Sequence, residues 1–273
     1  MTPSILYQPT YRIVDHSDPD VHTSALPSFA YDDTLATSVG EGESPAVARL
    51  WVHPKTVVLG IPDARLPYIQ EGIDYLHSQG YDAVVRNSGG LAVALDEGVL
   101  NLSLIYKETK DVNIHGGYDV MVDFIRSLID TDIDVYEITR SYCPGDYDLS
   151  INGKKFAGIS QRRVKGGFAV QIYLDVTGSG KERAELIRSF YDIAKKEEET
   201  KFTYPDIDPE VMASLNELLD EQMTMETIIT RITDKLRDYS EEIVSYPLTE
   251  KEEQWLDKRT KQMVDRNKKF LEE

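Results

Sequence analysis

The dipeptide Asn152-Gly153, set between the runs "YDLSI" and "KKFAG", constrains this chain more than any other short stretch. Both central residues of a type I′ turn need positive φ, which Asn and Gly tolerate, so the flanking runs are predicted to close into a two-residue β-hairpin. In that register Ile151 faces Lys154, Ser150 faces Lys155 and Leu149 faces Phe156. Side chains alternate along a strand, so Leu149, Ile151 and Phe156 share one face while Asp148, Ser150, Lys155 and Ala157 share the other. Two lysines adjacent in sequence therefore point to opposite sides. With the apolar face on the core, Lys155 is left to point into a cleft.

Cys143, the only cysteine in the chain, lies a few residues ahead of that hairpin. One reading makes it a small buried core residue, since free cysteine is among the most buried residue types. The other makes it a nucleophile, because Pro144-Gly145 sets it at a strand end beside a turn, where functional groups are often presented. An ammonium within roughly 4 to 6 Å of a thiol favours the reactive thiolate. Lys155 is the side chain that the hairpin would bring there.

A lone cysteine forms no internal disulfide, which fits a reducing cytoplasm. No run of eighteen or more apolar residues is present, and the first thirty residues lack a basic segment followed by an apolar one, so neither a membrane span nor secretion is expected. The balance of 30 basic against 48 acidic side chains gives a formal charge of −18. Phosphate neutralisation needs clustered Lys and Arg, so the charge argues against a general nucleic-acid binder. One local exception, Lys154, Lys155, Arg162, Arg163 and Lys165, reads either as a patch for an acidic partner or as solvated charge on a hairpin.

Residues 1–27 are mixed and polar and read as an irregular arm. Phe29, Leu35 and Val39 are spaced for one helical face, with Gly40 and Gly42 as stop signals. "VARLWVHPKTVVLG" suggests a hairpin, "LPYIQEGIDYLHSQG" a helix closing on Gly80, and "YDAVVRNSGGLAVALDEGVLNLSLIY" a three-stranded meander. "GYDVMVDFIRSLIDT" is an amphipathic helix with Met121, Phe124, Ile125, Leu128 and Ile129 on one side. "DIDVYEITR" and "GGFAVQIYLDV" read as further strands. From Gly178 the chain is expected to be almost entirely helical, with capping boxes at Ser179/Glu182 and Thr249/Glu252. The expected class is α+β, a mixed and mostly antiparallel sheet packed with helices. The divisions are residues 1–27 for the arm, 28–200 for a catalytic domain and 201–273 for a helical extension packed on it.

"RNSGGLAVALDEGVLNLSL" resembles the Arg-x-Ser-Gly-Gly-x-x-Val-x-x-Asp-x-Gly signature of the biotin and lipoate protein ligase superfamily. "GKKFAGISQRR" resembles its second signature, a lysine followed two residues later by Ala or Ser and then Gly. The resemblance covers roughly Ser28 to the helices beyond Gly180. Within the superfamily, "SYCPGDYDLSINGKKFAGISQ" is most similar to the lipoyl-assembly amidotransferases of Gram-positive bacteria. Those enzymes move an octanoyl group from the lysine amide of glycine cleavage H protein onto a cysteine, and from there to a lysine on the lipoyl domain of a 2-oxoacid dehydrogenase acyltransferase subunit. The resemblance places that cysteine at Cys143 and the motif lysine at Lys155. Lipoate ligases that use ATP, and the transferases that draw on octanoyl carrier protein, often carry a double Arg and a His before the motif Asp. Here Val85 precedes Arg86 and Leu95 precedes Asp96, which argues against nucleotide chemistry.

The expected mechanism is a double displacement at Cys143, with Lys155 stabilising the thiolate and shuttling a proton. Backbone amides around Gly158, or in the Ser88-Gly89-Gly90 turn, would stabilise the oxyanion. Arg86, Asp96 and the run from Leu91 to Leu95 are candidates for shaping an acyl channel, although Asp96 reads equally as a turn cap and Gly89-Gly90 as a plain turn. His16, His22, His53, His77 and His115 show no metal-ligand spacing, so neither a metal nor another cofactor is expected. The alternatives are an octanoyl transferase that draws on acyl carrier protein, a ligase that activates lipoate with ATP, and a non-catalytic acyl-protein binding module in which Cys143 merely packs.

Overall fold

The computed structural model describes residues 5–21, 24–109 and 114–271, so His22 lies outside the described residues. Its elements are β1 (Gln8–His16), α1 (Ser28–Glu41), β2 (Ala46–Trp51), β3 (Thr56–Leu59), α2 (Ile69–Ser78), β4 (Asp82–Val85), β5 (Val93–Leu95), β6 (Val99–Lys107) and α3 (Ile114–Arg126). There follow β7 (Asp134–Val135), β8 (Asp148–Ile151), β9 (Lys154–Val164), β10 (Gly167–Asp175), α4 (Gly180–Lys195), α5 (Leu215–Leu218), α6 (Met225–Asp238), β11 (Ser240–Val244) and α7 (Glu250–Leu271).

Eight strands form one sheet in the order β11-β1-β2-β6-β10-β9-β8-β7, antiparallel except where β1 pairs with β11 and β2. A three-stranded sheet in the order β4-β3-β5 stands apart from it. This is the expected α+β architecture. One face of the large sheet buries Leu100, Leu102 and Leu104 of β6 with Val170 and Ile172 of β10 and with Met121, Phe124 and Ile125 of α3, joined by Ile228, Ile232 and Leu236 of α6. A second core lies beneath the small sheet and includes Trp51, Val58, Val85, Leu95, Tyr173 and Phe190.

Several local readings are corrected. Residues 8–16 are a sheet strand instead of part of an irregular arm, with Tyr11 fully buried. β11 interrupts the helical last third and pairs in parallel with β1. β2 and β3 belong to different sheets, so "VARLWVHPKTVVLG" is no hairpin, and β3 inserts between β4 and β5 where a meander was expected. In the segment around Pro209, a short 3₁₀ turn and the four-residue α5 stand in place of a longer helix. Of the two expected capping boxes, Thr249 and Glu252 exchange both side-chain-to-backbone bonds, while at Ser179 only the N-cap half forms, Ser179 Oγ accepting from Glu182 N.

The hairpin closes as expected, with Asn152 at φ 52° and Gly153 at φ 76°. Ile151 pairs with Lys154 and Ser150 with Lys155. A bulge then shifts the register so that Leu149 faces Ala157 and not Phe156, which moves Ala157 onto the apolar side with Leu149, Ile151 and Phe156. The bulge leaves Lys155, Ser150 and Asp148 on the opposite side, where Lys155 and Asp148 meet at 2.9 Å.

Candidate active site

Register places one row of side chains across five strands of the large sheet. Trp51 pairs with Asn101, Asn101 with Tyr173, Tyr173 with Gly158, and Gly158 with Asp148. At about 4.8 Å per strand, that row runs about 19 Å. It forms one wall of a cavity of about 310 Å³, closed by Phe29 of α1, by Val58, Val93 and Leu95 of the small sheet, by Arg86 and Ser88–Gly90, and by Cys143–Gly145. The Trp51 end is apolar, with Phe29 edge-on to the indole at 5.9 Å. The Asp148 end carries Cys143.

Cys143 sits at φ 46°, a left-handed conformation that costs a non-glycine residue about 1–3 kcal/mol. Two residues of the hairpin hold it there. Asp148 Oδ2 accepts from the backbone N–H of Ile138 at 3.1 Å and of Gly145 at 3.2 Å. Lys155 Nζ donates to Ser141 Oγ at 3.1 Å and to the carbonyls of Tyr142 and Cys143, each at 3.0 Å. Burial pushes the Asp148 carboxyl above its ordinary range, and the Lys155 ammonium opposes that rise. The Cys143 loop is thus stapled at five points from one hairpin face.

The sulfur itself meets a different segment. Leu91 N–H donates to Sγ at 3.2 Å and Arg86 Nη2 stands 3.6 Å from it, while the same Nη2 donates to Leu91 O at 2.7 Å. Two converging N–H donors suit an anionic acceptor. Gly90 lies between these groups at φ 99°, where a Cβ would come within 2.3 Å of Arg86 Nη2 and 3.2 Å of Sγ. Three further contacts fix the loop. Asn87 Nδ2 donates to Asp33 Oδ2 at 3.0 Å, Arg162 binds both Asp33 and the Asn87 carbonyl, and Ala92 N–H donates to Tyr191 OH at 3.1 Å. Tyr191 OH in turn donates to Asp63 Oδ1 at 2.8 Å.

The expected site residues therefore divide. Cys143, Arg86, Ser88, Gly89, Gly90 and Gly158 line the cavity together. Lys155 stands behind the wall, fully buried, its ammonium bonded to the Cys143 carbonyl, where a cleft-facing side chain was expected. Gly158 belongs to an interior strand paired on both sides, so its backbone serves the sheet, while its missing side chain makes room for Tyr173. That leaves the Ser88–Gly90 turn as the oxyanion candidate, with the Ser88 hydroxyl and Arg86 Nε both buried and unpartnered. Asp96 lies off the cavity. It caps the turn before β6 through Gly98 N–H at 2.8 Å and binds Arg183 Nε at 2.8 Å, so the turn-cap reading describes its position.

The basic cluster disperses as well. Lys154 and Val164 are at opposite ends of β9, about 33 Å apart at 3.3 Å per residue, and Arg162 and Arg163 are ion-paired to Asp33 and Glu108. Reasoning from sequence missed Asp148, Tyr173, Trp51 and Tyr191. For Asp148 the signal was present, since strand alternation already set it on the Lys155 face.

A cysteine held in a strained turn at the end of an apolar channel, with N–H donors on its sulfur, is the equipment of acyl transfer. The chain belongs to the family of the lipoyl protein ligase A/B catalytic domain, whose profile matches residues 24–237. A relative from Oceanobacillus iheyensis, named octanoyl-GcvH:protein N-octanoyltransferase, is 56% identical over 270 residues, 96% of this chain and 97% of that protein. Relatives of the same name from Bacillus velezensis and Staphylococcus aureus are 51% and 48% identical, covering 98% and 96% of this chain and 95% of each of those proteins. Among solved structures, lipoate-protein ligase A bound with ATP superposes with a TM-score of 0.68 at 18% identity, covering 92% of this chain and 94% of that one. A bi-partite lipoate protein ligase from Thermoplasma acidophilum gives 0.66 at 19% identity, over 93% and 92%. These two share the fold.

Proposed function

We propose that this chain is an octanoyltransferase that moves an octanoyl group from the lysine amide of glycine cleavage H protein to lysines on lipoyl domains of 2-oxoacid dehydrogenase complexes, through a thioester on Cys143. The names of the relatives support the donor and the acyl group. The observation that carries the cysteine assignment is the convergence of Leu91 N–H and Arg86 on Sγ at the polar end of an apolar cavity.

Sγ attacks the octanoyl carbonyl carbon, and the C–N bond of the donor amide breaks as C–S forms. The thiol proton ends on the departing lysine nitrogen. In the second half-reaction an acceptor lysine nitrogen attacks the thioester, C–N forms, C–S breaks, and a proton from that amine returns to sulfur. An amide is more stable than a thioester, so the first half is uphill and the sequence is reversible.

Negative charge develops on the carbonyl oxygen in both halves. The Ser88 hydroxyl, buried without a partner, and the backbone of Gly89 and Gly90 line the cavity and are the donors we assign to meet it. Lys155 acts by holding the carbonyl and loop of Cys143 and by supplying positive potential behind it. The acyl chain lies along the row toward Trp51. At about 0.8 kcal/mol per methylene, burying about six of them contributes about 5 kcal/mol. Every cavity residue lies between Phe29 and Tyr173, which supports residues 28–200 as the catalytic unit and 201–273 as the segment packed on it. Among the described residues no helix is long and apolar enough to cross a membrane, and we place the reaction in the cytoplasm.

The test is mass spectrometry of the intact chain after incubation with octanoylated H protein and no ATP. An octanoyl adduct on Cys143, absent from Cys143→Ala, is expected. Acylated Cys143→Ala would overturn the assignment.

A further inference from the structure

We propose that Asn267, near the end of α7, is a positioning residue for the Cys143 sulfur, so that the carboxyl-terminal helix sets the geometry of the active site. The inference rests on Cys143 being the residue that carries the acyl group.

β4 is an edge strand of the small sheet. Its inner side is taken up by β3, with Arg86 N–H donating to Leu59 O at 2.9 Å, so the N–H and C=O of Val85 face outward. Buried backbone groups without partners are costly, and here one side chain satisfies both. Asn267 Oδ1 accepts from Val85 N–H at 2.8 Å and Asn267 Nδ2 donates to Val85 O at 3.1 Å. The carboxamide acts as one residue of an added strand. Asn267 is itself buried, and Nδ2 also donates to Met263 O at 2.9 Å, which fixes its orientation on the helix.

The residue after Val85 is Arg86, and the chain then runs through Gly90 to Leu91, so the backbone pinned by Asn267 leads directly into the pair of donors on Sγ. The helix has independent anchors that let it bear on this point. Glu252 forms a buried ion pair with Arg12 of β1 at 2.8 Å, and Arg259 Nη2 donates to Thr37 Oγ1 of α1 at 2.7 Å. α7 is thus a strap fastened to β1 and α1, and its far end grips β4. Only a carboxamide of this length presents a donor and an acceptor side by side. Asp loses the donor, and Ala loses both.

A positioning role and a merely structural one predict opposite signs. Cys143 is half-buried and is the only cysteine, so alkylation by iodoacetamide reads this one sulfur. Looser folding exposes the thiol and speeds alkylation. Displacing the two donors takes away the N–H groups that orient the sulfur, and alkylation slows. The experiment compares iodoacetamide rates and thermal unfolding in the full-length wild type, Asn267→Ala, Asn267→Asp and Glu252→Gln. Alkylation about tenfold slower than wild type is expected in both Asn267 variants. Glu252→Gln, at the other end of the helix, should unfold at lower temperature with a rate within about twofold of wild type.

Wild-type or faster alkylation in Asn267→Asp overturns the proposal, as does equal slowing in Glu252→Gln. Should Asn267→Ala unfold, the nearly isosteric Asp variant decides. Alkylation makes no use of an acyl donor, so a wild type that takes no octanoyl group defeats the acyl reading without touching this result.

Discussion

Lys155 bonds the carbonyl oxygen of Cys143 at 3.0 Å, whereas the cation bonded to the sulfur of that same residue is Arg86, at 3.6 Å. Position and charge at one cysteine are therefore supplied by different segments, the hairpin and the loop after β4.

That division makes the two cations separable by mutation. Lys155→Met leaves Asp148 charged and buried without its partner, and breaking such a pair costs about 3–5 kcal/mol. Adding Asp148→Asn is expected to recover part of the stability in denaturant unfolding while transfer stays impaired, because the Cys143 loop is still unheld. Full recovery of transfer in the double variant would contradict this account.

Gly90→Ala tests the loop from the other side. A methyl there meets Arg86 Nη2 at 2.3 Å and requires φ 99° of an alanine, so Arg86 must leave the sulfur. Misplacement by about 1 Å costs about 100-fold in rate. Single-turnover acylation should show that loss with little change in binding of the donor protein. A variant with wild-type acylation would refute the close approach.

Trp51 lines the apolar end of the cavity, and the proposed function makes it the stop for the acyl chain. Trp51→Ala opens space there, and two further methylenes then contribute about 1.6 kcal/mol, or about 15-fold. The ratio of decanoyl to octanoyl transfer should rise by about that factor, with an overall stability loss of about 3–5 kcal/mol. An unchanged ratio would mean that the chain points elsewhere.

Asp63 gives the site a pH signature. Burial pushes its carboxyl up to about 6, against the opposing pull of Gly60 N–H, Tyr191 OH and Arg86. The folded chain then binds this proton more tightly than the unfolded chain does. Its contribution to stability is accordingly greatest below pH about 4, falls as pH rises to about 6, and is level above that. Over that interval, at about 1.4 kcal/mol per pH unit, the loss is about 3 kcal/mol. Urea unfolding at pH 4.5 and 7 should show a smaller difference for Asp63→Asn than for wild type, and equal differences would exclude Asp63 as the source.

The parts of the site that were legible in sequence are those fixed by short-range rules. The Asn-Gly turn determined that Lys155 and Asp148 share the face opposite Leu149 and Ile151. What could not be read depends on long-range pairing. β3 inserts between β4 and β5, a pairing to which its own residues give no clue. The bulge before Ala157 defeated strict alternation. The cation on sulfur was assigned to Lys155 because of its short distance in sequence, while Arg86 reaches it across 57 positions and Asn267 reaches Val85 across 182.

The enclosure of Lys155 has a consequence for chemistry whose final acceptor is a lysine. In the proposed function an acyl-sulfur at Cys143 would react with any free amine beside it, and Lys155 is bonded to the carbonyl of that same residue. Its N–H groups are spent on Ser141 Oγ, on the carbonyls of Tyr142 and Cys143 and on Asp148 at 2.9 Å, which holds that nitrogen behind the cavity wall and turned away from the acyl group. On that proposal the hairpin keeps this side chain out of the acyl group's reach and leaves the thioester for a lysine arriving from outside.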